Sequence, residues 1–317
     1  MNFIWNKKGM IFNPIDRYEW MQQYAQVPTI LELNDRLRIY FTCRPKPDTY
    51  GKFVSYISFI DVDKSDPEKV LYIHDKPVLD LGVLGSFDEF GTHPCCFIFN
   101  KEELFFYYQG WSRPSSVPYE TAIGLATSDD LGLSFNKFSK GPLFGRNYQD
   151  PFLENGFFVY SENQSYYLFY ASCKEWINLS GKLEPVYKIV MATSSDGINW
   201  HRKGVELFNP KFDLEASGRP CVIKIKNLYH MWFCYRNVKS FRGDSDGAYR
   251  IGYAYSTDLI NWTRDDDRSG IDISSFGWDS EMIAYPYVCK VKDKYFMFYN
   301  GNNFGRDGFG YAELIIK

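Results

Sequence analysis

The chain has 317 residues, 45% of them hydrophobic and 19% aromatic, and its 36 Lys and Arg against 39 Asp and Glu leave a net charge of −3. No Lys/Arg block stands out, which argues against a surface built to grip a nucleic-acid backbone. No stretch reaches 18 apolar residues, which excludes a membrane-spanning helix. The length would suit two average domains, but all-β propellers and barrels run long as one. No linker or low-complexity segment interrupts the chain, so a single domain over residues 1–317 is expected.

In chain order, the stretch Met1–Lys8 lacks the long apolar core of a secretory signal, so a cytoplasmic location is expected. The segment Phe3–Ile11 reads as a strand with Trp5 inside it. One helical turn is expected near Arg17–Gln23, and no long helix anywhere. From Pro28 onward a four-part unit repeats. Its first part is a proline followed by a short apolar run, at Pro28, Pro94, Pro151, Pro220 and Pro286, spaced 66, 57, 69 and 66 residues. An aromatic-rich run follows each: Leu37–Arg44, Leu104–Trp111, Tyr166–Ser172, Tyr229–Arg236 and Tyr295–Gly301. The third part reads Ile123–Asp129, Ile189–Asp196, Ile251–Asp258 and Phe309–Glu313, with Val54–Asp61 as a degenerate first copy. A fourth part begins at Phe135, Trp200 and Trp262.

Four short strands per unit, separated by turn signals and repeated five times, predict an all-β, five-bladed propeller with four-stranded antiparallel blades. The fifth repeat stops after its third strand, at Ile315-Ile316-Lys317. Phe3–Ile11, with Trp5 in the repeated Trp place, therefore supplies the missing strand and removes an exposed edge. The recurring Ser128, Ser194 and Ser256 read as turn closers rather than nucleophiles. The seven cysteines (43, 95, 96, 173, 221, 234, 289) are scattered and odd in number, and read as reduced, buried thiols. The histidines show no metal-ligand spacing, so neither a metal nor an organic cofactor is implied.

In a propeller the residues preceding the innermost strands gather at one mouth of the central channel, a usual place for a small-ligand site. Those segments are acidic here. Glu89, Glu215 and Glu281 each stand five residues before their proline, and Asp150 abuts Pro151. Capping of turns or pairing with Arg is the structural alternative for any one of them. Four carboxylates on one rim would push one another's pKa values apart, which supplies the acid and base that glycosidic cleavage needs. Around them, His93, Arg219 and Arg236 are candidate holders of sugar hydroxyls or of an anionic group. Trp111, Trp176, Tyr285 and Phe304 are candidate stacking platforms, with packing between blades as the alternative.

The five-repeat layout, Asp150-Pro151, the Glu215–Pro220 segment and the stretch Ala192-Thr-Ser-Ser-Asp-Gly-Ile-Asn-Trp200 resemble the five-bladed glycoside hydrolases of family 43 and the related families 32, 68 and 130. The ending Tyr299-Asn300-Gly-Asn302, with Phe304-Gly305 and Gly308–Ala312, is similar to uncharacterised members of that superfamily; Asn300 and Asn302 enter as substrate-binding candidates on that ground. The resemblance implies an enzyme acting on a carbohydrate substrate, with Glu215 as general acid and Asp150 orienting it and tuning its pKa. The family's first-blade base has no counterpart, since Tyr24-Ala-Gln26-Val27-Pro28 carries no acid. Either Glu89 or Glu281 replaces that base, or phosphate attacks unaided, as in family 130 phosphorylases. Hydrolysis, phosphorolysis, transfer from a sugar nucleotide, and sugar binding without turnover all remain open at this point.

Overall fold

Aromatic and β-branched runs separated by Gly, Asn and Asp turns favour short, half-buried strands. The computed structural model describes residues 3–100 and 103–316, with Met1, Asn2 and Lys317 of the terminal stretches lying outside them. β1 (Phe3–Phe12) comes first. Blade one is β2 (Gln23–Glu32), β3 (Arg36–Arg44), β4 (Tyr56–Asp63) and β5 (Val70–Ile73). Blade two is β6 (Gly91–Asn100), β7 (Glu103–Ser112), β8 (Glu120–Ser128) and β9 (Asn136–Lys137). Blade three is β10 (Glu154–Glu162), β11 (Ser165–Leu179), β12 (Lys182–Ser194) and β13 (His201–Glu206). Blade four is β14 (Glu215–Ile225), β15 (Leu228–Asn237), β16 (Arg250–Ser256) and β17 (Thr263–Arg264). Blade five is β18 (Ala284–Val291), β19 (Lys294–Asn300) and β20 (Phe309–Ile316), with β1 outermost.

The inner strands β2, β6, β10, β14 and β18 touch in that order, and β18 returns to β2, which makes the five sheets a propeller. β1 runs antiparallel to β20, with Trp5 opposite Leu314. Phe3 and Trp5 also pack edge-on against Trp232 of blade four at 5.1 and 5.4 Å, so the first strand cements two blades at once. The segment expected to form a helical turn near Arg17 is instead a tight bridged turn, Tyr18 facing Met21. The short helical turns lie at Asp266–Arg268 and Asn302–Gly305. No helix of the described residues is long and apolar enough to cross a membrane. The recurring serines close turns: Ser128, Ser194 and Ser256 each donate to an Asp two residues on and accept from the backbone beyond it.

Ladder register refines the repeat. Gln26, His93, Asn155, Gly218 and Ala284 face Thr42, Gln109, Ala171, Cys234 and Asn300. Thr29, Cys96, Phe158, Cys221 and Tyr287 face Tyr40, Tyr107, Phe169, Trp232 and Phe298. Between those two rows each inner strand spends one residue more than its partner, which is a β-bulge in every blade. The bulge pairs are Val27-Pro28, Pro94-Cys95, Gly156-Phe157, Arg219-Pro220 and Tyr285-Pro286. Two of the predicted repeat prolines are therefore out of place. Pro94 is one residue early, and Pro151 lies outside the inner strand altogether. The equivalent residues are Pro28, Cys95, Phe157, Pro220 and Pro286, spaced a more even 67, 62, 63 and 66.

The first residue of the bulge is left-handed in four blades: Val27 (φ 59°), Gly156 (φ 59°), Arg219 (φ 51°) and Tyr285 (φ 56°). Its ring forbids Pro94 this conformation, so blade two is the one whose bulge does not lead with a left-handed residue. A β-branched valine at positive φ is an outlier held by its surroundings. The Val27 amide donates to Oδ1 of Asn300 at 2.8 Å, and Nδ2 of Asn300 donates to the carbonyls of Ala25 and Gly308.

Candidate functional site

A bulge re-aims the side chain it carries. Here the leading residue of all five bulges, Val27, Pro94, Gly156, Arg219 and Tyr285, lines one cavity of about 1100 Å³ at the channel mouth. Gly156 is required sterically as well as conformationally, because a Cβ there would stand 2.7 Å from the Arg219 amide nitrogen. Gln26, His93, Asn155 and Gly218 line the next tier. That tier carries amides, an imidazole and a glycine, and no carboxylate. His93 lies beside Arg44 and Arg219; burial, reinforced by those two cations, pulls its pKa down to about 3, so it is neutral at physiological pH.

The walls are basic. Arg44, Lys52, Arg113, Lys182, Arg219, Arg236 and Arg242 line the cavity, and Glu184 is the one carboxylate among the described lining residues. The arginines sit on aromatic rings, which fixes their planes. Arg44 lies 4.7 Å from the Tyr24 ring centroid and 5.4 Å from that of Phe53. Arg236 lies 3.6 Å and Arg242 4.5 Å from the Phe241 centroid. Arg113 covers Phe90 at 4.1 Å. Arg219 donates to the carbonyls of Cys95 and Phe157 and to the Thr29 hydroxyl, joining three other inner strands. Glu184 projects from the long β11–β12 hairpin. Its Oε1 accepts from Nε of Arg242 at 2.8 Å, and its Oε2 lies 3.9 Å from Arg236, beyond hydrogen-bond distance.

The four carboxylates expected around this mouth do not line it. They serve as stitches inside separate blades or in loops. Asp150 accepts from Tyr170, Ser172 and Arg202. Burial works against its ionised form, but those donors win and hold its pKa below the usual value. Glu215 is buried and turned outward to Arg264 of β17 at 2.7 Å and to the Lys211 amide. Glu89 accepts from the Gly85 amide within an exposed loop, and Glu281 is itself exposed. For Asp150 and Glu215 the physical reason is a recurring lock: an acid before or at the start of the inner strand meets a base two residues after the fourth-strand aromatic. The pairs are Asp88–Lys137, Asp150–Arg202, Glu215–Arg264 and Asp279–Lys7. Tyr108, Tyr170 and Tyr299 of the second strands add a hydroxyl donor in blades two, three and five.

Of the expected ligand-binding residues, His93, Arg219, Arg236, Trp111, Tyr285 and Phe304 do line the cavity. Asn300 does not, being buried and committed to backbone partners. Asn302 caps a loop instead, accepting from the amides of Glu281 and Met282. Trp176 packs edge-on against Tyr119 at 5.7 Å, outside the lining. Sequence reasoning missed Glu184, Arg44, Arg113 and Arg242. A signal existed for the first bulge neighbours: Arg44, Trp111 and Arg236 occupy the same place at the end of their second strands.

Beside the site, Arg202 also bonds Glu154 at 3.0 Å, so one cation serves two carboxylates. Burial raises the Glu154 pKa to about 8, against the opposing pull of Arg202. The unfolded chain releases that proton near the ordinary value of 4.5. Between those two pH values the folded state holds more protons, so this group's contribution to stability is full below about 4.5 and is lost as pH rises through 8. The stability of Glu154→Gln relative to wild type is expected to rise by roughly 2–4 kcal/mol between pH 4.5 and 8.5. Urea unfolding of both proteins across that range reads the difference, and parallel pH profiles would contradict it.

No protein-family model matches the chain. Two curated proteins of Mycobacterium tuberculosis, "Uncharacterized protein MT1551" and "Uncharacterized protein Rv1502", are each 33% identical over 312 residues, covering 98% of this chain and 99% of the relative. The chain belongs to their family. Among solved structures it is similar to one titled "Glycoside hydrolase", with a TM-score of 0.75 at 18% identity over 97% of this chain and 91% of the other. A β-1,2-mannobiose phosphorylase from Listeria innocua gives 0.69 at 14% identity, covering 100% and 97%. This chain thus shares the five-bladed fold of the solved glycoside hydrolases and mannoside phosphorylases.

Proposed function

We propose that the chain is a carbohydrate-active enzyme that transfers a glycosyl group, with the basic channel mouth as its active site. The supporting observation is that a single carboxylate, Glu184, lines the cavity among the described residues. Hydrolysis in the two-carboxylate manner needs a pair about 5 Å or roughly 6.5–9.5 Å apart. A nucleophile that is already anionic, such as phosphate, or a transfer from a good leaving group, needs only one group to exchange a proton. In this reading the bond between the anomeric carbon and the bridging oxygen breaks as the acceptor oxygen attacks that carbon. Glu184 exchanges the proton with the sugar oxygen that needs it. Asp150 and Glu215 act from behind, as positioning residues for the inner strands of blades three and four. The fold shared with hydrolases and a mannoside phosphorylase supports the class of chemistry. The seven free cysteines suit a reducing, cytoplasmic setting.

A panel of glycosides, assayed with and without phosphate and with sugar nucleotides as donors, tests this reading. Turnover is expected to depend on a non-water acceptor and to fall about a hundredfold in Glu184→Gln with the melting temperature kept. Hydrolysis by water alone that is indifferent to Glu184→Gln would remove the proposal. The missing carboxylate pair also favours a second reading, sugar binding without catalysis. It predicts measurable affinity with no turnover of any member of the panel.

A further inference from the structure

Three of the cavity's arginines carry buried N–H groups with no acceptor among the described residues: Nε of Arg44, Nε of Arg219 and Nη1 of Arg236. Arg219 and Arg236 are each 3% exposed. Their other nitrogens hold the side chains still, Arg219 through Cys95, Phe157 and Thr29, and Arg236 through the Tyr249 hydroxyl and the Pro185 carbonyl. Arg44 is wedged on Tyr24 and Phe53. A buried donor left unpaired forfeits its hydration without return, so three of them in one cavity are a strong signal. Guanidinium groups donate and never accept, whereas sugar hydroxyls do both. Rigid donor-only groups suit oxygens that carry no proton, those of phosphates and carboxylates.

The charge count says how many such groups to expect. Seven Lys and Arg line the cavity against Glu184, in a chain whose net charge is −3. One inorganic phosphate would leave most of that charge unanswered and most of the 1100 Å³ unfilled. Trp111, Tyr24 and Phe304 supply apolar faces among the cations. Resting on the reading that a carbohydrate occupies this mouth, we infer that its ligand is a carbohydrate with at least two anionic groups, either a sugar diphosphate or an acidic oligosaccharide. The Arg44–Arg219–Arg236 donors take the inner anionic group, and Lys52, Arg113, Lys182 and Arg242 take the outer ones.

Titration calorimetry on the full chain tests this, with a uridine-diphosphate sugar, a galacturonic-acid oligosaccharide, a neutral oligosaccharide of equal length and inorganic phosphate as probes. At least one of the two polyanionic probes is expected to bind tenfold or more tighter than the neutral one, and to weaken tenfold or more from 50 to 500 mM NaCl. Which of them binds distinguishes the two sources of charge. Arg44→Gln is the variant of choice, because among the described residues that side chain makes no hydrogen bond or ion pair that folding would miss. It is expected to weaken the polyanionic probe at least tenfold with the melting temperature unchanged. Equal binding of the neutral probe, binding of phosphate alone, or an Arg44→Gln affinity equal to wild type overturns the inference. Turnover is scored separately. Polyanion binding without turnover keeps this inference and sinks the transfer reading, while turnover of neutral glycosides alone does the reverse.

Discussion

Replacing Asp150 by alanine is expected to lower the free energy of unfolding by about 3–5 kcal/mol, because it strands a buried cation. Arg202 is 6% exposed in its side chain and lies 3.6 Å from the Phe144 ring centroid. Tyr170 and Ser172 lose their acceptor in the same stroke. Part of the loss is recovered because Glu154, already 3.0 Å from Arg202, can ionise to replace the missing charge. Asp150→Asn, which keeps an acceptor for Tyr170, is expected to cost less. Urea unfolding followed by tryptophan fluorescence measures both. A fully stable Asp150→Ala protein that has lost only activity would show that this residue serves chemistry and not the blade.

Gly156→Val is expected to cost about 3 kcal/mol or more in stability and to disable the mouth. The position has φ 59°, which disfavours a β-branched residue, and the new Cβ would meet the Arg219 amide nitrogen at 2.7 Å and its Cα at 3.1 Å. Both neighbours are backbone, so relief requires the bulge of blade four to move. That bulge carries the guanidinium that ties Thr29, Cys95 and Phe157 together. Affinity for the ligand of the mouth should therefore fall more than tenfold even where the variant folds. Wild-type stability and binding in Gly156→Val would show that the close approach of blades three and four does not shape the site.

The architecture was legible because it is written five times over. The aromatic runs, the serine turns and Trp5 in the place of Trp200 and Trp262 each recur at matching positions, and closure by the first strand follows from the missing partner of β20. The site was legible in part. A proline marks an inner strand only where the bulge tolerates one, so Pro94 and Pro151 misplaced the register of two blades by one and six residues. The side to which a carboxylate near the start of an inner strand turns depends on a base that arrives some 50 residues later, as Arg202 does for Asp150 and Arg264 for Glu215. That base follows the repeated aromatic by two places in Trp5-Asn-Lys7, Phe135-Asn-Lys137, Trp200-His-Arg202 and Trp262-Thr-Arg264, a pattern open to inspection in the sequence. Glu184 was not legible, since its exposure to the cavity comes from the extra length of the β11–β12 hairpin and not from any repeat.

The pairing of β1 with β20 also sets an order of assembly. During synthesis, blades one to four each have all their strands once the ribosome has passed Arg264. The fifth must wait for β20 before it can capture β1, across a separation of some three hundred residues. Loop-closure entropy grows slowly with length, so the wait is a matter of sequence order more than of energetic cost. Until that capture the nascent chain is an open arc. Until β1 is seated, Trp232 of the fourth blade lacks the rings of Phe3 and Trp5, and the rim that brings Arg44 of the first blade within reach of Arg236 of the fourth has not yet been drawn shut.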